Sequence, residues 1–214
     1  MIEDFNSEIF FIDNTMWWSR EDIDCYYYLK ESHKMEMEII IPFLRDRSVA
    51  VQAGAHCGYV IKELKEHFDT IYCFEPNNSM FLAMCMNITD KNVFKFQACL
   101  GDEHKLVNMV PNGSFGAGAN FVSGVGKIPM LRIDDLNLNQ CDLLMIDTEG
   151  YEYPALIGGL ETINKFKPLI CIERFWGPRT VGVSELQMDE FLKSLGYKEV
   201  ACAGESDHIF QYIQ

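Results

Sequence analysis

The sequence predicts an α/β fold: a mostly parallel sheet covered by helices on both faces and closed by a C-terminal antiparallel hairpin. Three observations carry that expectation. From residue 48 onward, short apolar runs alternate with amphipathic ones, the pattern of a parallel sheet with helical crossovers. The first run breaks into a glycine turn, "VAVQAGAHCGYV" (49–60). The last amphipathic segment precedes two strand-like runs joined by "GESD", turn chemistry that suits a hairpin.

Taken in order, residues 1–47 hold "IFFI", Trp17, Trp18, "CYYYL" and an expected helix in "HKMEMEIIIPFLRD", and read as an N-terminal cap segment on a single domain spanning 48–214. The strands are "SVAVQA" (48–53), "TIYCF" (70–74), "VFKFQA" (93–98), "DLLMID" (142–147) and "PLICIE" (168–173). Between them, "YVIKELKEHF" (59–68) sets Val60, Ile61, Leu64 and Phe68 at helical spacing, and "MFLAMCMNI" (80–88) is apolar on one side. Both should cross the sheet right-handedly. The glycine-rich "PNGSFGAGANFVSGVG" (111–126) reads as a long surface loop. "VSELQMDEFLKSLGY" (183–197) predicts a helix capped by Ser184, packed through Leu186, Phe191, Leu192 and Leu195, and stopped by Gly196.

Composition narrows the function classes. The 214 residues carry 18 Lys+Arg against 32 Asp+Glu, a formal net charge of −14. No basic run offsets it, which disfavours nucleic acid and anionic lipid as partners. None of the eight cysteines forms a C-x-x-C pair, and Cys73, Cys99, Cys141 and Cys171 lie in or beside apolar runs, as reduced core thiols do. With no basic-then-apolar leader and no apolar run near the roughly 20 residues of a membrane span, the expectation is a cytoplasmic protein without membrane insertion. Nothing in the chain sets an oligomeric state.

Gly54 and Gly58 bracket Ala55, His56 and Cys57. This G-x-x-x-G spacing differs from the G-x-G-x-x-G of dinucleotide binders, which argues against a nicotinamide-dependent dehydrogenase. Small residues at a strand end let a ligand approach the backbone, although the same spacing alone also fits a tight turn. Context comes from "CFEPN" (73–77), where Glu75 ends the second strand and Pro76 turns the chain away. A carboxylate there can accept both ribose hydroxyls of a nucleoside. At the fourth strand's end, "MIDTEGYEYPALIGG" (145–159) crowds Asp147, Glu149 and Glu152 around Gly150, and Glu173 ends "LICIE". Such carboxylates face the crevice where parallel sheets bind ligands, and can orient an acceptor hydroxyl or take its proton. Asp147 is the first choice for that role, whereas Glu152 equally suits a helix N-terminus. His56 has no second histidine nearby with which to hold a metal. His104 and His208 read as exposed, and the methionines as adaptable core filler. Trp17, Trp18 and Tyr26 to Tyr28 read as packing of the cap or as a stacking platform for a sugar.

In this order and spacing, "VQAGAHCGYV", "FEPN", "MCMNI", "ACLGD", "LRIDDL", "MIDTEGYEYPALIGG" and "PLICIE" resemble the FkbM-type family of class I S-adenosylmethionine-dependent methyltransferases, over about residues 48–175. The family's GAxxG and FEP elements fall on Gly54, Ala55, Gly58, Phe74, Glu75 and Pro76. Its IDxEGxE pattern falls on Asp147, Glu149, Gly150 and Glu152. The resemblance implies a Rossmann-like class I methyltransferase sheet, S-adenosylmethionine as donor with S-adenosylhomocysteine as product, and O-methylation of a sugar or other hydroxyl-bearing small molecule or glycan. The cofactor-binding residues it implies are Gln52, Gly54, Ala55, His56, Gly58, Tyr59, Glu75, Pro76, Asn77, Ala98, Cys99, Leu100 and Asp147, with adenine near Ala98 to Leu100. Asp147, Glu149 and Glu173 take the catalytic positions, and no metal ligand is expected, although the acids have the chemistry to bind a divalent ion. Three positions depart from the family pattern: Gln52 stands for Asp, His56 for Asn and Met145 for Lys. Gln52 can hydrogen-bond the donor's amino-acid part but cannot match its ammonium charge. Gln52 and Met145 motivate an alternative, a donor-binding or scaffolding protein of the same fold with reduced catalysis.

Overall fold

Strands with apolar side chains on both faces must be covered on both sides, and the central sheet is built from such strands. The computed structural model describes residues 10–12, 15–17, 36–111, 120–174, 181, 183–204 and 206–213. Two short strands, β1 (Phe10–Ile12) and β2 (Thr15–Trp17), pair antiparallel, and residues 36–40 are helical and run into a 3₁₀ turn at Ile41–Phe43. Next come β3 (Val49–Ala53), α1 (Tyr59–Leu64), β4 (Thr70–Phe74), α2 (Asn78–Asn87), β5 (Val93–Phe96), β6 (Cys99–Leu100), β7 (Lys105–Pro111) and β8 (Asn120–Leu131). The chain continues through β9 (Leu143–Ile146), α3 (Glu152–Ile157), α4 (Leu160–Phe166), β10 (Leu169–Glu173), α5 (Glu185–Ser194), β11 (Tyr197–Ala203) and β12 (Asp207–Tyr212). Tyr26 to Tyr28, Trp18, the Trp17 side chain and residues 112–119 lie outside the described residues.

The main sheet runs β11-β12-β10-β9-β3-β4-β5. Every pairing from β10 through β5 is parallel, and β12 is antiparallel to both β10 and β11. This is the expected α/β architecture with its closing hairpin. Alternation along each strand divides the interior into two cores. Ala50, Leu143 and Cys171 pack with Ile61, Leu64, Met84 and Ile88 on one face, together with Met37 and Ile40. Val51, Leu144, Ile146 and Ile170 pack with Leu156, Ile163, Met188 and Leu192 on the other. Cys73, Cys99, Cys141 and Cys171 are free and buried, as their apolar surroundings require. Among the described residues, no helix is long and apolar enough to cross a membrane.

Three sequence expectations need correction. The stretch 111–126 is not a loop throughout, because β8 begins at Asn120 and pairs antiparallel with β7. Gly126, one of the glycines that suggest a loop, serves a bulge. Val107 pairs with both Ile128 and Val125, and a Cβ on Gly126 would lie 2.2 Å from the Val107 carbonyl oxygen, so the kinked strand tolerates only glycine there. In α5, Ser184 and Gln187 form the reciprocal cap, but Leu186 is 67% exposed while Met188 and Leu192 face the core, as their i, i+4 spacing dictates. His208 is half-buried and 3.0 Å from Glu199.

Two buried charges lock the layers. Arg174, just past β10, pairs with Asp189 of α5 and Glu199 of β11 and stacks over Phe210. Asp142 precedes β9, and its Oδ2 accepts from the amides of Ser48 and Val49 at 2.8 and 2.9 Å. That carboxylate fixes the start of β3 against β9, and therefore the register on which their C-terminal ends depend. Asp142→Ala is expected to lower stability by about 2–3 kcal/mol, since two amides lose a charged acceptor; a urea unfolding midpoint measures it.

Candidate functional site

In a sheet of this winding, the chain leaves β3 toward β4 on one side while β9 flanks it on the other, and a crevice opens at the strand ends where the direction of winding switches. A pocket open to solvent lies there, lined by residues from the ends of β3 and β4, the turn after β9 and the β7–β8 hairpin. The backbone packs tightly beneath it. Gly54 (φ 84°) and Ala55 both donate to the Phe74 carbonyl at 3.0 Å, and the Asp147 amide donates to the Ala53 carbonyl at 3.1 Å. A Cβ on Gly54 would sit 1.8 Å from the Asp147 carbonyl oxygen, so only glycine lets the two strand ends meet.

Glu75 joins the glycine turn to the turn after β4. Its Oε2 accepts from the His56 amide at 2.8 Å and its Oε1 from the Asn77 amide at 2.7 Å. The residue is 6% exposed yet lines the pocket. Burial pushes its pKa up, against the pull of His56 and of the two amides. A carboxylate oxygen with one amide bond retains acceptor capacity for a ligand hydroxyl.

Across the pocket, Asp147, Glu149 and Glu173 bring carboxylate oxygens within 4.8 Å of one another. Glu173 lies close enough to Asp147 that the charged form of Asp147 is disfavoured. Burial first, then the charges of Glu173, Glu149 and Asp207, hold Asp147 well above the usual carboxylate range. A divalent cation would relieve the same repulsion at this spacing. Asp207 sits opposite Glu173 in the β10–β12 register. Burial, reinforced by Glu36 and Glu173 and opposed by a bond from Ser206, pushes it up to about 7. Asp207 and the buried Glu36 escape a sequence reading because neither belongs to a motif.

Of the expected site residues, Gly54, His56, Glu75, Pro76, Ala98, Cys99, Leu100, Asp147 and Glu149 line the pocket. Ala55 is fully buried, and Gly58, Tyr59 and Asn77 lie outside the lining. The Asn77 side chain caps α2 instead, accepting from the amides of Ser79 and Met80 at 2.9 and 3.2 Å. Gly58 opens α1 at φ 85°, and a Cβ there would press on Met84 and Ile88. Glu173 faces the acid cluster rather than the pocket wall. Ala53 and Phe74 complete the strand ends, and the rest of the wall lies outside the sequence expectation: Met109, Asn120 and Val122 come from the β7–β8 hairpin, Thr148 and Tyr151 from the turn after β9. A strand assignment for "NFVSGV" would have supplied the first group.

Gln52 does not face the pocket. It is 1% exposed and lies between Cys73 and Met145 in the parallel register, with its Nε2 on the Ala53 carbonyl at 3.2 Å and its Oε1 without a hydrogen-bond partner among the described residues. Gln52 and Met145 are thus direct cross-strand neighbours. The two positions at which the resemblance leads one to expect Asp and Lys therefore form one buried neutral pair in this sheet.

Residues 52–199 match the family described as methyltransferase FkbM domain. The structure is similar to an FkbM methyltransferase from Methylobacillus flagellatus, with TM-score 0.52 and 18% identity over 78% of this chain and 44% of that one. The chain therefore spans less than half of that relative. It is also similar to magnesium protoporphyrin IX methyltransferase from Synechocystis, solved with bound S-adenosylmethionine, with TM-score 0.50 and 10% identity over 89% of this chain and 80% of that one. A third similar structure is an S-adenosylmethionine-dependent methyltransferase from Leishmania major, with TM-score 0.50 and 15% identity over 90% of this chain and 77% of that one. At these identities the likeness establishes the fold. No curated protein matches the chain significantly.

Restoring a lone charge at the interior pair should be costly. Gln52→Asp is expected to destabilise by about 3 kcal/mol, because an unpaired carboxylate would be buried. Adding Met145→Lys should recover about 1–2 kcal/mol of that loss, read as the coupling energy of a double-mutant cycle. Because Asp207 is raised in the folded state, its contribution to stability is complete below its ordinary pKa near 4 and is lost as pH rises through about 7. The unfolding free energy of Asp207→Asn should fall less than that of the parent between about pH 5 and 8, by more than about 1 kcal/mol, in denaturant titrations across that range.

Proposed function

The chain belongs to the FkbM methyltransferase domain family, and from that premise we propose that it is an S-adenosylmethionine-dependent methyltransferase acting on a hydroxyl oxygen of a sugar or other small molecule. The observation that carries the proposal is the pairing, across one pocket, of an amide-anchored Glu75 with the carboxyl cluster at Asp147. When bound, the donor supplies an electrophilic methyl group on a sulfonium. The donor chemistry fits the residues present. Glu75 has acceptor capacity for ribose hydroxyls, the apolar Ala98, Cys99, Leu100, Met109 and Val122 offer walls for a purine, and the acids complement a cationic ligand.

The protein's own part is positional. Gly54 removes the side chain that would hold a ligand away from the backbone, and the Glu75 bonds fix the turn before anything binds. Asp147, coupled to Glu173, can accept the acceptor's hydroxyl proton as the new C–O bond forms, leaving S-adenosylhomocysteine as the other product. The alternative of a donor-binding protein with reduced catalysis draws on Gln52 and Met145. Both lie in the sheet interior, so neither departure removes a group from the pocket wall.

Calorimetric titration with S-adenosylmethionine and S-adenosylhomocysteine tests the donor. Binding near micromolar Kd is expected, weakened at least about tenfold in Glu75→Ala, equivalent to about 1.4 kcal/mol. Absence of heat and of thermal stabilisation with either ligand would overturn the proposal. With binding established, methyl transfer to a panel of sugars and hydroxylated metabolites distinguishes the enzyme from the non-catalytic alternative.

A further inference from the structure

Glu152 is a buried carboxylate outside the pocket wall. It is 5% exposed and opens a helix of only six residues. Its bonds run backward rather than into that helix. One oxygen, Oε1, accepts from the Thr148 amide at 2.9 Å, the Thr148 hydroxyl at 3.0 Å and the Gly150 amide at 3.0 Å. Those donors flank Glu149 on both sides. Glu149 has φ 55° and Gly150 φ 98°, two successive left-handed residues, the first of which is not glycine. Such a residue persists only where its surroundings over-determine it. The same turn carries Thr148, Glu149 and Tyr151 into the pocket wall, and the Gly150 carbonyl accepts from the Val181 amide at 2.8 Å, tying in the chain beyond β10.

We propose that Glu152 is a positioning residue for methyl transfer, whose Oε1 holds the 148–150 turn so that the Glu149 carboxylate stands beside Asp147 and Glu173. The inference rests on the methyltransferase assignment for its functional consequence, and on the hydrogen-bond geometry alone for its structural one. Glu152 acts through acceptor geometry rather than charge, since all three bonds converge on one oxygen that a glutamine retains. Glu149, once released, takes a negative charge away from the end of the pocket that meets the sulfonium. The donor carries that positive charge and the product does not, so losing Glu149 from its place weakens the donor selectively.

The test compares the parent, Glu152→Gln and Glu152→Met by calorimetry with S-adenosylmethionine and S-adenosylhomocysteine, and by crystal structures of all three. Glu152→Gln should keep both affinities within about threefold and keep Glu149 left-handed. Glu152→Met should weaken S-adenosylmethionine about tenfold and S-adenosylhomocysteine less than about threefold, with Glu149 relaxed away from Asp147. A merely structural role would weaken both ligands alike or neither, and a folded Glu152→Met protein with that behaviour, or with Glu149 unmoved, overturns the inference. Should Glu152→Met fail to fold, Thr148→Val removes one of the three donors, and the same selective loss is expected at reduced size. If the parent binds neither ligand, the methyltransferase assignment fails, while the turn conformation in the variant structures still decides the role of Glu152.

Discussion

The candidate site depends on how closely the backbone leaving β3 approaches the backbone leaving β9. Gly54 lies where any Cβ would collide with the Asp147 carbonyl oxygen, and the Asp147 amide reaches back to the Ala53 carbonyl. This contact fixes the position of both walls. One is the glycine turn, which carries His56 to the Glu75 carboxylate; the other is the Asp147 to Tyr151 turn, which carries the acids. Asp142 sets the same two strands in register at their opposite end. The sheet thus works as a rigid spacer, and its precision at the C-terminal edge comes from bonds at both ends of β3.

Electrostatics follow from that geometry. Strand ends that converge on a crevice bring their acids together, and burial with the neighbouring charges holds Asp147 and Asp207 above the usual carboxylate range. Keeping those two groups protonated relieves the repulsion at a cost that grows with pH. Residues selected only for stability would not converge this way, since an apolar set of similar size would avoid the repulsion altogether. No lysine or arginine is among the described residues that line the pocket, so the field there favours a cationic or neutral occupant over an anionic one.

Much of this is legible in the sequence, for physical reasons that also explain the failures. Period-two burial and helical spacing are local, so β3, β4, β9, β10, α1 and α5 can be read directly, as can the closing hairpin. Glycine at a strand end also announces a close approach, and that rule locates Gly54 and, through it, Glu75. The same rule misleads at residues 111–126, where Gly126 marks a bulge within β8 rather than a loop, and the hairpin's contribution of Met109 and Val122 to the wall is lost with it. Asn77 resembles a ligand contact because it follows Glu75, yet a short polar side chain before a helix is equally suited to cap it. Asp207 and Glu36 join the acids only through strand pairing and packing across large sequence separations, which no local signal reports.

Gln52 shows most clearly what a single sequence conceals. Read along the chain, glutamine in place of an acid just before the glycine turn suggests a weakened donor site. Read across the sheet, the same residue faces Met145, where the resemblance leads one to expect Lys, and both lie among buried apolar neighbours. Removing one charge from an interior pair strands its partner at a cost of several kcal/mol, whereas removing both is close to neutral. Two neutral side chains at these positions are thus consistent with each other inside the sheet. The Gln52 Oε1 is a buried acceptor without a hydrogen-bond partner among the described residues, on a residue that pairs in register with a thioether side chain. The groups that do face the pocket include Gly54, His56, Glu75 and the wall built by the β7–β8 hairpin.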